Sequence, residues 1–480
     1  MNSSKDFRPK ILYAMAFNAS LGSVVWGYNI SVFNALRAFL QSNVFPGSSD
    51  FVISLLASSL TIGAAGGSFF AGKLLNAYGR LNVLIVSDLV GILAIMLTLI
   101  QSLPIMILGK TIIGIIIGIN GVAVSLYNVE MSPISIKGIM SSISMSLLSF
   151  GVTLGLSVQL VVPDPSEAEG SQIWRILFAL PLLFHLSRLS VLKYFLNYET
   201  PLYLAMQDKI DGVRDVLKVI YTDNIERHLQ RVLHDKNKMV SKSGGSITLA
   251  DMFSPRYKKA FYISLFIMAG VQMSGFTPVF VFFNVYISDS ANNNSNEMAL
   301  FATIMGIISF LSAILANIIV DKLGRKVLFV VGMAFMTVIE FLYIFIVYFD
   351  GTDNSSLKYI LSLWPLPFRI STGTLAFIYV PELLPSVGVA MASFLNWGLA
   401  FVNVQSCLAI VHSIGTEGSL MIHGVFCLVS TIIYQKYIIE SKGRTKAELL
   451  DMYNNIVPKP SFDESAMEMA KIPLIKKSIK

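Results

Sequence analysis

The chain has 480 residues, 54% of them hydrophobic and 14% charged, whereas a soluble protein carries about 25% charged residues. Its two cysteines, Cys407 and Cys427, both lie inside apolar runs, which argues against a disulfide framework or a cysteine metal site. The net charge of +7 does not point to nucleic acid, because the basic residues gather between apolar runs on one side of a membrane.

A bilayer is crossed by about 20 mostly apolar residues. Such spans are expected near 11–34, 52–74, 82–103, 105–128, 139–162, 173–196, 257–286, 297–320, 327–349, 357–383, 386–412 and 417–438. Lys5, Arg8 and Lys10 precede a first run too long for the apolar part of a cleavable signal, so none is expected. Between spans six and seven, residues 199–259 carry eleven Lys/Arg and eight Asp/Glu and contain no run able to cross. Apolar positions recur at helical spacing over 204–221 and 224–239, followed by Ser-Gly-Gly-Ser (243–246) and a short turn at 249–253. The expectation is an all-α membrane protein of twelve transmembrane helices in two six-helix halves. The halves are 1–198 and 257–438, with a helical module at 199–256 and a tail at 439–480.

Orientation follows from charge. Of the 36 Lys and Arg, Arg37, Lys110, Arg175 and Lys358 fall at the outer side, Arg188 and Arg369 fall within spans, and the rest fall inside. Both termini and the module are therefore expected to be cytoplasmic. The sequons at 293–295 and 354–356 and the acidic stretch 164–170 fall on the outer side.

The chain repeats itself. Leu-Asn-Ala-Tyr-Gly-Arg (75–80) is echoed by Val-Asp-Lys-Leu-Gly-Arg (320–325). Tyr127-x-x-Glu130-x-x-Pro133 is echoed by Tyr379-x-x-Glu382-x-x-Pro385, and Glu199 after span six by Glu440 after span twelve. Three motifs in one order at nearly constant offset imply two homologous halves, the parallel repeat of a transporter with its site near the midplane. A lone Gly-Arg turn would be an ordinary turn with one topogenic arginine; two equivalent copies argue for a role. Arg80, Arg325, Lys137 and Arg444 are placed to pair with Glu130, Glu382, Glu199 and Glu440 as gate residues of the inner face.

These motifs resemble the sugar porter family of the major facilitator superfamily over nearly the whole chain. Glu440-Ser441-Lys442-Gly443-Arg444-Thr445 resembles the family's Pro-Glu-Thr-Lys-Gly-Arg-Thr, with Ile439 in place of Pro. Residues 124–130 resemble Pro-x-Tyr-x-x-Glu with Ser125 for Pro, and Lys137 stands for the usual Arg. Tyr198-Glu199-Thr200-Pro201 resembles Pro-Glu-Ser-Pro-Arg, and Trp174-Arg175 matches the Trp-Arg before span six. The resemblance implies the major facilitator fold and a sugar site. Its span-seven motif survives as Gln272 with Thr277, while the span-five glutamine falls at Met145. Asn396-Trp397 matches the family's Asn-Trp, and Phe377 stands where a tryptophan is common. A sugar needs neutral donors and acceptors with an aromatic plate, which these side chains supply. Outside the resemblance, amides such as Gln272 and Asn396 more often bridge helices. Proton-coupled members resemble Gly-Tyr-Asp in span one; here the residue is Asn29, which does not titrate, as in facilitative hexose carriers.

A neutral-hexose uniporter, monomeric in the plasma membrane and without metal or cofactor, is the resulting expectation. A proton-coupled symporter, a carrier of a polyol or carboxylate, and a non-transporting nutrient sensor are the alternatives. Asp88, His185, Arg188, Glu340 and Arg369 all fall within spans, where ionisable groups are costly and are functional candidates. Arg369 is expected to pair with Glu340 or Asp88. Gly109-Lys110-Thr111 resembles the end of a phosphate loop, but it lies in a span after Pro104. Five scattered histidines give no catalytic or metal arrangement.

Overall fold

The computed structural model describes residues 6–133, 136–163, 170–242, 248–288, 295–351, 356–442, 444 and 446–455. These residues are almost entirely helical; a single isolated bridge joins Phe7 and Tyr221. The two sequons apart from Ser295 and Ser356, the acidic stretch 164–170 apart from Gly170, Ser-Gly-Gly-Ser, most of the tail and the side chain of Lys137 lie outside them.

Helices stand at every expected span. The first five are Pro9–Phe39, Asp50–Tyr78, Arg80–Thr98, Leu103–Glu130 and Lys137–Ser157, and the sixth is formed by Ile173–Ala179 and Leu182–Tyr194. Span seven comprises Lys258–Met273 and Phe276–Ser288, span eight Ser295–Leu323 and span nine Arg325–Asp350. Span ten is in three pieces, Ser356–Leu363, Pro365–Ile370 and Thr372–Leu383, because Pro365 and Pro367 interrupt the hydrogen-bond ladder at the first break and Ser371 leaves helical geometry at the second. Spans eleven and twelve lie in Ser386–Tyr437, 52 residues that would run about 78 Å if straight. The bilayer core is about 30 Å, and Gly415, at φ 78, breaks the run between them.

Among the described residues, nine stretches are long and apolar enough to cross a membrane by composition, the last holding both spans eleven and twelve. Span one falls short because of its own buried polar residues, among them Asn18, Ser20, Asn29, Ser31 and Asn34. Span ten falls short because it is broken. Leu93, Ile176, Phe345 and Tyr348 are among the large apolar side chains left exposed, as a lipid-facing surface requires.

Close helix approach explains why small residues recur inside the bundle. Gly27 of span one lies against the backbone at Leu148 of span five, and Gly151 lies against Val24; a Cβ at either would collide with main chain. The repeated turns use glycine for a different reason. Gly79 and Gly324 have φ of 86° and 84°, and each ends one span and opens the next. The same conformation at equivalent places is how the repeat appears in three dimensions.

The two halves meet through Ser58 Oγ donating to Gln405 Oε1 (2.8 Å), Asn284 N–H to Asn34 Oδ1 (2.9 Å) and Asn317 Nδ2 to Ser146 Oγ (2.9 Å). In the module, helices Pro201–Met206, Ile210–Ile220 and Ile225–Lys242 pack around Ala205, Val213, Leu217 and Leu229. The helical run expected over 204–221 is two helices, because Asp208 takes φ 58 and turns the chain. Arg8 N–H donates to Ile220 O and Thr222 N–H to Asp6 O, which ties the N-terminal segment to this module. The tail helix Lys446–Tyr453 docks on the C-terminal half, with Tyr453 OH 2.8 Å from Tyr379 OH.

Candidate functional site

Span seven is interrupted where it matters. Ser274 and Gly275 (φ 84) separate its two helices, and the His423 ring of span twelve lies against Gly275. The interruption leaves the Gln272 carbonyl, which accepts Gly275 N–H at 3.0 Å, able to accept from Asn403 Nδ2 at 2.8 Å as well. It also brings Gln272 and Thr277, five residues apart, to one place. The Gln272 amide donates to Asn396 Oδ1 (3.1 Å) and accepts from Thr277 Oγ1 (2.5 Å). Trp397 follows Asn396, with its ring 5.3 Å from Trp26 of span one; Phe377 lies edge-on to Trp26 at 6.2 Å.

Gln272, Thr277, Asn396, Trp397 and Phe377 thus line one cavity of about 360 Å³, between the halves. Trp26 and Met145 share its wall, as does Arg369. Asn29 is not in this wall. It lines a neighbouring cavity of about 320 Å³ that shares Ile30 and Thr277 with the first.

Lys110 comes with Asn29. Its ammonium donates to Asn29 Oδ1 at 3.1 Å and lies 4.4 Å from the centre of the Phe178 ring. The expectation that Lys110 marks the outer side is corrected: the residue is 3% exposed and sits within span four. Its signal in the sequence was a lone lysine amid an apolar run, which the charge count absorbed as topogenic. Trp26, next to Gly27-Tyr28-Asn29, was likewise passed over.

Arg369 pairs with neither expected acid. Asp88 is held by Arg188 (2.7 Å) and by His185 Nδ1 (2.7 Å), wholly within the N-terminal half. Glu340 accepts from Trp364 Nε1 at 3.1 Å. Arg369 instead donates through Nε to Ser309 Oγ at 3.0 Å.

The repeated motifs form two matching networks at the module face. In the N-terminal half, Arg80 Nη2 meets Glu130 Oε1 at 2.8 Å, Thr200 Oγ1 donates to Glu130 Oε2, and Tyr127 OH donates to Tyr198 O. The C-terminal half repeats each contact. Arg325 Nη2 meets Glu382 Oε1 at 3.3 Å, Ser441 Oγ donates to Glu382 Oε2, and Tyr379 OH donates to Ile439 O. Glu199 and Glu440 act differently from the expected ion pairing. Glu199 accepts the N–H groups of Arg80, Leu81 and Thr200, and Glu440 those of Arg325, Lys326 and Lys442. They hold the N-termini of spans three and nine, where the helix dipole favours an anion. Burial raises the Glu199 carboxyl above the usual range, outweighing its backbone hydrogen bonds. Glu440 is also pushed up by its burial, but its three N–H donors outweigh that and lower it. Arg444 is exposed and lies at Met452 Sδ, away from both carboxylates.

A twelve-helix bundle of two repeated halves, with a polar cavity between them, is the architecture of a solute carrier. The sequence profile of the Sugar (and other) transporter family matches residues 15–453. The chain belongs to that family. It is 27% identical to Hexose transporter 1 of Plasmodium vivax over 480 residues, covering 92% of each chain. It is 26% identical to plastidic glucose transporter 4 of Arabidopsis thaliana, covering 90% of this chain and 78% of that one. Among solved structures, the partially occluded inward-open xylose transporter XylE of E. coli superposes with a TM-score of 0.77. That superposition covers 91% of this chain and 100% of that one at 20% identity, and shows the major facilitator fold. The protein is an integral, multi-pass membrane transporter of that family and not an enzyme.

Proposed function

We propose that this chain carries a neutral hexose by facilitative uniport, the halves 1–198 and 257–438 rocking about the cavity between them. The observation that carries the reading is the cavity wall: two amides, a hydroxyl and a tryptophan ring, a set of neutral partners for a polyhydroxyl ring. Gln272, Thr277, Asn396, Trp397 and Phe377 hold the sugar, and Asn29 borders it through the adjoining cavity. The absence of a titratable side chain at Asn29 supports uniport, since an amide carries no proton. Hexose as the substrate is supported by the relatives named hexose and glucose transporters.

The module 199–256, the tail and both termini lie in the cytoplasm, with the chain in the plasma membrane as a monomer; the charge count supports that orientation. Arg80, Glu130, Glu199, Arg325, Glu382 and Glu440 gate the cytoplasmic side. Uptake of labelled glucose into proteoliposomes, with and without a pH gradient, tests the reading. Equilibration without uphill accumulation is expected; accumulation driven by the gradient overturns uniport. One observation favours a second reading, a proton symporter: the carboxylate of Asp88 is fully buried beside His185. Gradient-driven uptake that vanishes in Asp88→Asn would establish it.

A further inference from the structure

Arg369 is a buried cation on the wall of the sugar cavity, and no carboxylate among the described residues balances its charge. It is 2% exposed, and none of those carboxylates lies within ion-pair distance of it. Its position is firmly determined. Pro365–Ile370 ends at Ser371, whose backbone leaves the helix at φ −111 and ψ −118, and Thr374 Oγ1 donates back to Arg369 O at 2.7 Å. The guanidinium lies 5.2 Å from the Phe276 ring, 5.9 Å from Phe280 and 5.7 Å from Phe368. Nε is used by Ser309; Nη2 is buried and has no hydrogen-bond partner.

A guanidinium in a low-dielectric site is costly unless paired. The rings offset part of that cost, and the Ser309 hydroxyl supplies one neutral bond, but a free, buried N–H at a cavity wall calls for an acceptor. The residues lining this cavity include no Asp or Glu, nor do those of the adjoining one, where Lys110 adds a second cation. Both cavities therefore have a positive field and no anion of their own. A carboxylate on the ligand would complete the site, because a charge-assisted N–H···O bond is about twice as strong as a neutral one. The rings and Ser309 already hold the guanidinium in place, so little ordering is lost when the ligand arrives.

We propose that the cavity takes, besides a neutral hexose, a hexose-sized sugar acid with one carboxylate, such as a hexuronate, and that Arg369 Nη2 binds this carboxylate. This rests on the sugar-carrier reading and extends it by one chemical class. The ring hydroxyls keep the partners given above, and Arg369 sets the preference between acid and neutral sugar.

The test uses the full chain in proteoliposomes with labelled glucose and labelled glucuronate. Glucuronate uptake is expected, in competition with glucose and accelerated by an inside-positive potential, to which glucose uptake is indifferent. Arg369→Gln should lower the glucuronate-to-glucose rate ratio by at least about tenfold, the weight of one hydrogen bond to a charged group, and Arg369→Lys should restore part of it. A structural role alone would lower both rates together and leave the ratio unchanged, which overturns the proposal. Glucose uptake without glucuronate uptake by the wild-type chain also overturns it while leaving the hexose reading intact. Stronger competition by glucose 6-phosphate than by glucuronate would reject the single-carboxylate class. If neither sugar moves, the hexose reading fails and this one with it. The wild-type measurements decide even where Arg369→Gln does not fold.

Discussion

Gln272 uses its side-chain amide twice, as donor to Asn396 and acceptor from Thr277, so its removal leaves both partners unpaired in a buried place. Losing one neutral hydrogen bond to a sugar costs roughly 0.5–1.5 kcal/mol. Gln272→Ala is therefore expected to weaken hexose binding by about threefold to tenfold, read as quenching of tryptophan fluorescence. Trp397→Ala should do at least as much, since it removes the aromatic ring that lines the cavity. Arg80 and Arg325 differ in burial despite their equivalent positions. The Arg80–Glu130 pair has side chains 6% and 6% exposed, against 13% and 34% for Arg325–Glu382. Breaking a buried pair leaves an uncompensated charge, at roughly 3–5 kcal/mol, while an exposed pair is worth about 0–1 kcal/mol. Arg80→Ala should accordingly lower the thermal midpoint in detergent more than Arg325→Ala does. It should slow exchange between inward and outward states while sugar affinity persists. Lost affinity with unchanged exchange would remove Arg80 from the gate.

Breaks in the helices, more than their lengths, set out the site. Span seven opens at Gly275 and span ten at Pro365 and Ser371, which bring Gln272, Thr277 and Arg369 to one cavity. Elsewhere, helix ends are held by carboxylates, and here the two halves diverge. Glu199 is raised by burial, and Glu440 is lowered by its three N–H donors. A carboxyl lowered in the folded state contributes stability above the ordinary carboxylate range and loses it as pH falls through its folded value. A raised one favours the protonated form, so replacing it with a neutral amide costs less. At pH 7, Glu440→Gln is expected to lower the thermal midpoint more than Glu199→Gln. The deficit of Glu440→Gln relative to wild type should shrink as the pH is taken toward 4. A deficit that grows on acidification would contradict the assignment.

The bundle as a whole makes a directional statement. Thr222, tied to Asp6, lies on the module face, and Ser49, ahead of span two, lies on the opposite one. Both are exposed, whereas Cys407 and Cys427 are buried and free, so the background of thiol labelling is low. With the module in the cytoplasm, a membrane-impermeant maleimide added to sealed cells should label Ser49→Cys and spare Thr222→Cys. The reverse pattern would invert the topology.

The number of spans, the two halves and the module between them were all legible in the sequence. They depend on the length of apolar runs and on repeated motifs, which are properties of contiguous residues. The glycines of the repeated turn were legible for the same reason, since a helix end is local. Pairing across the bundle was not. Arg369 donates to Ser309 instead of meeting Glu340, and Lys110 faces Asn29 instead of the outer surface. Glu199 and Glu440 turn toward backbone N–H groups, leaving Glu130 and Glu382 to meet the arginines. Which side chain reaches which depends on how each helix is rotated about its axis and where spans seven and ten break. Spacing along the chain carries neither quantity, and only the packed bundle decides them.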